Sequence, residues 1–300
     1  MKNKVVIGGI IALVILAALA LFCFWAGKKI VDRTNDDNTT IQNPPSAPPN
    51  SSQPVNSIEQ AQRVYLAPGN PSNATANAAN ADNFLVVNTA YALSYNNSRG
   101  TANWVAWRIS EADFGTTDRQ NNFRPDTDLP ANFKRVTPSD YTNSGYDRGH
   151  LCPSADRSSS PEANGETFLM TNIAPQTPDL NRNVWNDFES YSRELVKKGH
   201  VDLYVIAGVY GEKGKLKRKV SVPTNCWKII VALPQGADFS AVNENTHVVA
   251  VDMPNNQGMG TPNWRNFRTT VRAIEQKTGY NFLSNLPQNL QDKLETRTEN

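Results

Sequence analysis

The amino-acid sequence predicts an α+β fold in which helices flank a central, largely antiparallel sheet. Three observations predict this fold class. Several short apolar segments are bounded by turn residues, two longer segments carry apolar residues at helical spacing, and the two kinds of segment do not alternate strictly. We assign the folded domain to residues 58–288 and a C-terminal tail to residues 289–300.

The chain begins with an apolar segment of the length that crosses a bilayer. Residues 5–27 carry no charge, and two lysines stand on each side of them. The segment is longer than the apolar part of a signal peptide and ends without a convincing small-residue cleavage site. It predicts a transmembrane helix in a membrane anchor at residues 1–30, with a cleaved secretion signal as the alternative. Because positive charges flank both ends, the orientation is a hypothesis: we expect the domain outside the cytoplasm.

Residues 31–57 are rich in Asn, Thr, Pro, Ser and Gln and have few large apolar side chains. Such a segment cannot bury enough apolar surface to offset the entropy of folding, so it predicts a disordered tether. The formal net charge of the whole chain is only +2. A phosphate-binding surface would therefore have to be a local concentration of Arg and Lys.

The strands are predicted from short apolar runs. Residues 91–95 and 103–109 are joined by a turn-forming segment and predict a hairpin. Three later runs have the same character: residues 203–208, 226–233 and 247–251.

Two helices are predicted from apolar spacing. Residues 183–198 form the stronger candidate, and Gly199 is expected to end it. Residues 264–277 form the second, and Gly279 follows as a stop. The apolar residues at helical spacing are Val184, Trp185, Phe188, Tyr191 and Leu195 in the first, and Phe267, Val271 and Ile274 in the second.

The densest group of chemically active residues lies between the hairpin and the first helix. Its segments are Asp147-Arg148-Gly149-His150, a following segment that contains Asn172, and Leu180-Asn181-Arg182-Asn183 at the helix start. This combination resembles the Asp-Arg-Gly-His signature and the downstream Asn-bearing helix of the DNA/RNA non-specific endonucleases. These belong to the ββα-metal superfamily, which includes endonuclease G. The resemblance covers roughly residues 91–286.

The resemblance implies a ββα-metal active-site element and metal-dependent cleavage of DNA and RNA that leaves 5′-phosphate ends. It implies that Asn181 binds the metal ion and that Glu189 orients metal-bound water or a neighbouring cation. Asn172 matches the other active-site asparagine of the family, more plausibly as a positioning residue than as a ligand. Arg124 lies near the place where family members carry another cationic residue, so we expect it to contact substrate.

General chemistry supports the same centre. Phosphodiester hydrolysis needs a base for the attacking water, a divalent cation and positive charge near the phosphate. His150 is one of three histidines and can accept a proton near neutral pH. A structural histidine is the alternative, which the neighbouring Asp147 and Arg148 make less favourable. His200 and His247 lack such neighbours, and we interpret both as structural.

Spacing gives further expectations around the metal. An amide oxygen from Asn181 suits Mg²⁺ that keeps most of its water, with Mn²⁺ possible, although Asn181 could instead cap the helix. Glu189 lies eight residues further, about 12 Å along and about 80° around a regular helix, so direct ligation of the same ion looks strained. Arg193 is four residues beyond Glu189 and could pair with it, either near substrate or as an ordinary surface salt bridge.

Strand geometry orients the motif. Arg148 stands two residues before His150, so both side chains are expected on one face of a strand, with Arg148 contacting a phosphate. Asp147 would then point away and stabilise the fold.

A basic cluster in a later turn predicts either a solvated hairpin tip or a contact to the phosphate backbone. The cluster consists of Lys213, Lys215, Lys217, Arg218 and Lys219.

Together these features predict a membrane-anchored, Mg²⁺-dependent endonuclease with little sequence preference, since its contacts would go mainly to the backbone. The alternative is a catalytically inactive, membrane-tethered module that binds nucleic acid. Retention of His150, Asn181 and Glu189 favours the enzyme. A disulfide between Cys152 and Cys226 stays open at this level, as does the oligomeric state.

Overall fold

The computed structural model describes residues 54–298. The predicted anchor at residues 1–30 and most of the predicted tether at residues 31–57 lie outside the described residues. Within residues 54–298, no helix combines the length and the apolar character needed to cross a membrane.

A seven-stranded antiparallel sheet forms the centre of the domain. The strands within residues 54–298 are β1 (Phe84–Val87), β2 (Ala92–Asn96), β3 (Thr101–Ile109), β4 (Asp147–His150), β5 (Ile173–Gln176), β6 (Val201–Tyr210), β7 (Lys215–Leu216), β8 (Val220–Ser221), β9 (Asn225–Pro234), β10 (His247–Pro254) and β11 (Arg268–Thr269). The strands of the central sheet follow the order β1-β2-β3-β6-β9-β10-β11, and every neighbouring pair is antiparallel. The predicted α+β class, its antiparallel sheet and the β2–β3 hairpin are confirmed.

Strand β3 is covered on both faces, because all nine of its residues are buried. Trp104 and Trp107 are three residues apart and therefore point to opposite faces. Each buried indole N–H has a partner: Trp104 donates to Ser72 at 2.7 Å and Trp107 donates to Asp156 at 3.1 Å. The second contact ties the sheet to the segment that follows the Asp-Arg-Gly-His motif.

In the described part of the chain, five α-helices accompany the sheet. They are α1 (Ile58–Tyr65), α2 (Pro161–Glu166), α3 (Trp185–Gly199), α4 (Val271–Thr278) and α5 (Gln288–Glu295). The first begins after Ser57, whose hydroxyl accepts a hydrogen bond from the Gln60 N–H.

Helix α3 is the stronger helix predicted from the sequence, and its apolar face packs against the sheet. Trp185, Phe188 and Val196 are buried. The expected stop at Gly199 is displaced by one residue, because Gly199 is the last helical residue. His200, with φ of +52°, adopts the left-handed conformation that ends the helix.

The second predicted helix is wrong in its first half. Asn263 accepts a hydrogen bond from the Arg265 N–H and begins a short 3₁₀ turn, and β11 then pairs with β10. Thr270 caps the separate helix α4 through the Ala273 N–H. Two capping residues therefore divide what the apolar spacing suggested was one helix. Gly279 ends α4 with φ of +74°, as predicted.

The predicted C-terminal tail at residues 289–300 is also wrong, because helix α5 occupies most of it. Leu294 and Glu295 are fully buried. Arg272 of α4 forms ion pairs with Asp292 at 3.3 Å and with Glu295 at 2.7 Å. The folded domain therefore extends through this helix.

A small ββα unit stands beside the main sheet. Strands β4 and β5 pair antiparallel, with His150 opposite Ile173 and Asp147 opposite Gln176. A π-helical turn at Leu180–Val184 follows and continues directly into α3. The expected ββα arrangement is therefore present, with an irregular turn at its helix start.

Candidate active site

His150 is the last residue of β4, and its side chain is buried at the wall of a cleft. Its Nε2 is buried and has no hydrogen-bond partner. The rings of Phe123 and Phe168 pack against the imidazole, with centroids at 5.3 Å and 4.9 Å. The Trp185 indole N–H donates to the His150 backbone carbonyl at 3.3 Å. Packing therefore fixes the imidazole at the wall of the cleft.

Burial lowers the pKa of His150 to about 3, and the positive charges of Arg119 and Arg148 contribute in the same direction. The imidazole is therefore neutral at pH 7 and able to accept a proton. A neutral ring also costs less to bury than a charged one. A neutral imidazole at the wall of the cleft has the chemistry of a base.

The imidazole belongs to a cleft of about 180 Å³, which we call the catalytic cleft. Its lining residues are Arg119, Arg148, His150, Pro153, Asn181, Asn186 and Glu189. The structure thus brings together four of the residues selected from the sequence: His150, Arg148, Asn181 and Glu189.

The π turn explains why Asn181 and Glu189 share this cleft. On a regular helix eight residues would separate their directions by about 80°. A π turn accommodates one residue more than an α turn, so the same eight residues cover the angle of about seven, within about 20° of two full turns. The separation expected from regular spacing is therefore wrong, and both side chains face the same space.

Asp147 does not point away from the site, contrary to expectation. Its carboxylate accepts a hydrogen bond from Asn181 Nδ2 at 3.0 Å and two from Arg182, both at 2.7 Å. Burial raises the pKa of Asp147, but these bonds outweigh burial and hold it below its usual range. By engaging the amide nitrogen, Asp147 orients the Asn181 side chain so that its oxygen is free to bind a cation.

Glu189 pairs with Lys228 of β9 rather than with Arg193. The Lys228 Nζ lies 3.1 Å from Glu189 Oε1, and both side chains are buried. Trp185 and Trp107 cover the ammonium group, at 4.2 Å and 5.4 Å from their ring centroids. Burial raises the pKa of Glu189, and the charge of Lys228 opposes that effect.

Arg193 contacts a different carboxylate, so the expected pair with Glu189 is wrong. Its Nη1 lies 3.1 Å from Asp156 Oδ1, and its Nη2 donates to Ser190. Arg193 is not among the residues that line the catalytic cleft. The Arg193 side chain is directed toward the segment that follows β4 instead.

Arg119 takes the place in the catalytic cleft that the sequence suggested for Arg124. Arg124 donates to the Gly165 carbonyl at 2.7 Å and does not line the cleft. Arg119 donates to Ser154 Oγ at 2.8 Å and lies over the Phe168 ring at 4.9 Å. Sequence reasoning missed it because it lies in a segment without regular secondary structure, which only tertiary packing brings to the cleft.

Asn172 is completely buried and does not reach the catalytic cleft. Its side chain accepts from the Cys152 N–H at 2.9 Å and donates to the Cys152 and Thr167 carbonyls, both at 2.8 Å. These bonds fix the backbone just after His150. Asn172 is therefore placed to act by positioning, without contact to a substrate.

Cys152 and Cys226 are buried free thiols and form no disulfide.

The donor set of the cleft fits a hydrated divalent cation. Within residues 54–298, no three His, Cys, Asp or Glu side chains gather as a metal site. Asn181 and Glu189 are the oxygen-bearing amide and carboxylate that face the arginines there, with Asn186 beside them. Mg²⁺ keeps several waters and binds through few protein oxygens, so an ion held mainly by Asn181 is consistent with this set.

Comparisons with known proteins agree with this geometry. A nuclease from Nostoc sp. is 49% identical over 249 residues, covering 82% of this chain and 90% of the relative. Human mitochondrial endonuclease G is 32% identical over 212 residues, covering 66% of this chain and 68% of the relative. A crystal structure of EndoG in complex with EndoGI has a TM-score of 0.59 at 25% identity and covers 71% of this chain and 89% of that one.

These relatives support endonuclease activity. The sequence profile of DNA/RNA non-specific endonucleases matches residues 68–289, which is most of the chain. The chain therefore belongs to the DNA/RNA non-specific endonuclease family.

Proposed function

We propose that this protein hydrolyses internal phosphodiester bonds of DNA and RNA with little sequence preference, using His150 as the general base and a divalent cation held by Asn181. The observation that carries the proposal is the neutral imidazole of His150 in a cleft that also holds Arg119 and Arg148. A neutral base beside two guanidinium groups suits attack of water on a phosphate.

In the proposed reaction, the His150 imidazole accepts the proton of a water molecule whose oxygen attacks phosphorus. The bond from phosphorus to the 3′ oxygen breaks, and solvent protonates that oxygen. The products are a 5′-phosphate on one fragment and a 3′-hydroxyl on the other. Contacts from Phe123, Phe168 and Trp185 keep the imidazole in one orientation during this step.

Positive charge completes the site. Arg119 and Arg148 line the cleft and are placed to bind the phosphate oxygens through charged hydrogen bonds. A divalent cation bound at Asn181 would stabilise the negative charge on the leaving oxygen. The family is metal-dependent, and we propose Mg²⁺, with Mn²⁺ as a substitute. These contacts go to the phosphate backbone of the nucleic acid and not to its bases, which accounts for the weak sequence preference.

Two variants separate the roles assigned to the base and to the metal ligand. His150→Ala should lower the cleavage rate about 10²–10⁴-fold, and added metal should restore little of it, because no proton acceptor remains. Asn181→Ala should weaken metal binding, so higher Mg²⁺ or Mn²⁺ should recover part of the rate. The experiment is a metal titration of plasmid and RNA cleavage for wild type and both variants, with melting curves on the same samples.

The outcomes are distinct. Wild-type rates in His150→Ala would refute the base assignment, and identical metal dependence in all three proteins would remove Asn181 from the metal site. The alternative, an inactive nucleic-acid-binding module, would appear as wild-type protein that binds DNA but does not cleave it at any concentration of Mg²⁺ or Mn²⁺.

A further inference from the structure

The hairpin formed by β7 and β8 carries two cations at its tip in an unfavourable backbone conformation. Lys217 and Arg218 have φ of +44° and +59°, and the Lys219 N–H donates to the Leu216 carbonyl at 2.8 Å. This is the geometry of a type I′ turn, in which Asn-Gly is preferred because both central residues need positive φ. Two long cationic residues there cost stability, which suggests that their charges have a use.

The hairpin is attached to a wall next to the catalytic cleft. Leu216 and Val220 pack in an apolar cluster with Tyr141. Lys219 forms an ion pair with Asp140 at 2.9 Å, and Lys217 donates to the Ser139 carbonyl. The hairpin is therefore held against the 3₁₀ turn Pro138–Tyr141 rather than extending freely into solvent.

The same 3₁₀ turn lines a second cleft of about 320 Å³, which we call the neighbouring cleft. Its lining residues are Phe123, Pro138, Tyr141, Thr142, Tyr146, Asp147, Arg148, Asn181 and Arg182. It shares Arg148 and Asn181 with the catalytic cleft. Arg148 and Asn181 thus connect the two clefts, and the 3₁₀ turn connects the neighbouring cleft to the hairpin. We call this succession of residues the path.

Positive charge continues along this path. Arg148 and Arg182 line the neighbouring cleft, and the Lys213 ammonium group lies 6.0 Å from the ring centroid of Tyr146 in its wall. Arg218 is exposed, and within residues 54–298 it makes no hydrogen bond or ion pair. With a net charge of only +2 for the chain, this row is a local concentration of cations.

We propose that the hairpin tip, Lys217 and Arg218, binds backbone phosphates of the same nucleic-acid strand that is held in the catalytic cleft. This inference rests on the proposed function and extends it. The strand leaves the catalytic cleft through the neighbouring cleft and meets the tip several nucleotides from the bond that is cut. The tip contacts phosphates and reads no bases, so it adds affinity for long substrates of any sequence.

The test replaces the tip with the residues that its turn prefers. Lys217→Asn with Arg218→Gly should melt at a higher temperature than wild type, because both positive-φ positions become favourable. Binding of full-length protein to a fluorescent 30-nucleotide DNA strand is measured in EDTA over a range of salt concentrations. Loss of two phosphate contacts should flatten the slope of log Kd against log salt by about 1.4. A matched control, Lys198→Gln with Lys277→Gln, removes two exposed charges from helix ends and should leave the slope unchanged.

A tetranucleotide is too short to span both sites, so its KM for cleavage should be equal in the tip variant and in wild type. The proposal is overturned if the slope is unchanged in the tip variant, or if the control flattens it equally. It is also overturned if the tip variant loses binding to vesicles of anionic lipid but keeps the wild-type affinity for the DNA strand. Binding is measured in EDTA and does not depend on cleavage. Failure of the wild-type protein to cut DNA would therefore refute the nuclease function without deciding whether the tip binds phosphates.

Discussion

His150 combines two properties that a solvent-exposed histidine does not have: a pKa far below its usual value and a ring nitrogen without a partner. Burial is the larger cause of the lowered pKa, and Arg119 and Arg148 add to it. As the proposed base, His150 would act in its neutral form, and it would become protonated only when the pH falls through its pKa. The acid limb of the activity profile therefore reports this environment directly.

We expect kcat/KM to stay constant as the pH falls to 6.5 and to decrease only well below it. Arg148→Ala should lower kcat/KM about 10- to 100-fold through loss of a charged hydrogen bond to phosphate. It should also move the acid limb to higher pH, since one positive charge near His150 is removed. The measurement is kcat/KM for cleavage of a short oligonucleotide between pH 4 and pH 9.

Arg182→Ala is the control for this experiment, because Arg182 is exposed and is not among the charges that lower the pKa of His150. Its acid limb should coincide with that of wild type. An acid limb near pH 6.5 in the wild-type protein would mean that the catalytic base is a solvated group and would contradict the assignment.

Among individual residues, the sequence predicted those that lie within a motif. It missed those that only tertiary packing brings to the catalytic cleft. His150, Arg148 and Asn181 came from a local pattern. Arg119 reaches the catalytic cleft from an irregular segment by packing on Phe168, which no local pattern encodes. Asp147 was expected to face away because strand alternation was applied to it, but it is the first residue of β4 and turns toward Asn181.

Helix α3 and strand β9 are joined by the buried ion pair between Glu189 and Lys228. Removing one partner of such a pair leaves an uncompensated charge, whereas replacing both with apolar residues is much less costly. The pair thus links a stability effect to a residue of the catalytic cleft, and the two effects can be separated by mutation.

Lys228→Met should lower the free energy of unfolding by about 3–5 kcal/mol at neutral pH. The remaining Glu189 would have a pKa raised further, so the native state would bind its proton at a higher pH than the unfolded state does. The loss should accordingly be smaller at pH 5, where Glu189 can be protonated, and larger at pH 8. Urea denaturation at the two pH values measures both free energies.

The double variant Lys228→Met with Glu189→Leu is the matched control. It should regain most of the stability, because no buried charge remains, while cleavage stays impaired through the loss of the carboxylate in the catalytic cleft. Equal stability losses in the single and double variants would show that packing, and not the unpaired charge, accounts for the effect.

Among elements, the sequence predicted those with a strong pattern. The strands β2, β3, β6, β9 and β10 and the helix α3 were found from apolar spacing. The spacing across residues 264–277 was misleading, since two capping residues, Asn263 and Thr270, outweigh it locally. Helix α5 was missed because its eight residues include few apolar side chains and depend on contacts with α4.

On the scale of the whole molecule, the structure moves the C-terminal boundary of the domain. A protein comprising residues 57–298 should fold cooperatively, since Ser57 caps α1 and little before it is needed. Ending the chain at residue 287 should lower the free energy of unfolding by at least about 2–5 kcal/mol, the usual cost of losing one buried leucine such as Leu294. Thermal melting of the two proteins decides the matter, and equal melting temperatures would restore the boundary at residue 288.

The protein of residues 57–298 also serves to test where the full-length protein is located in the cell. We propose that residues 1–30 anchor the protein in a membrane with the domain outside the cytoplasm. Full-length protein should then fractionate with membranes, while residues 57–298 should remain in the soluble fraction. Protease added to intact cells should remove the domain. Resistance of the domain both in intact cells and in spheroplasts would place it on the cytoplasmic side instead.

The π turn at Leu180–Val184 has an evolutionary consequence. A deletion of one residue between Asn181 and Glu189 would convert the turn to a regular helix with better hydrogen-bond geometry. The seven residues that remain would cover about the same angle, so both side chains would still face the cleft. Relaxation of the turn to a regular helix at the present length would instead rotate Asn181 by about 100° relative to Glu189 and remove it from the cleft. A change of chain length at this point is therefore compatible with the site only when the helix type changes with it.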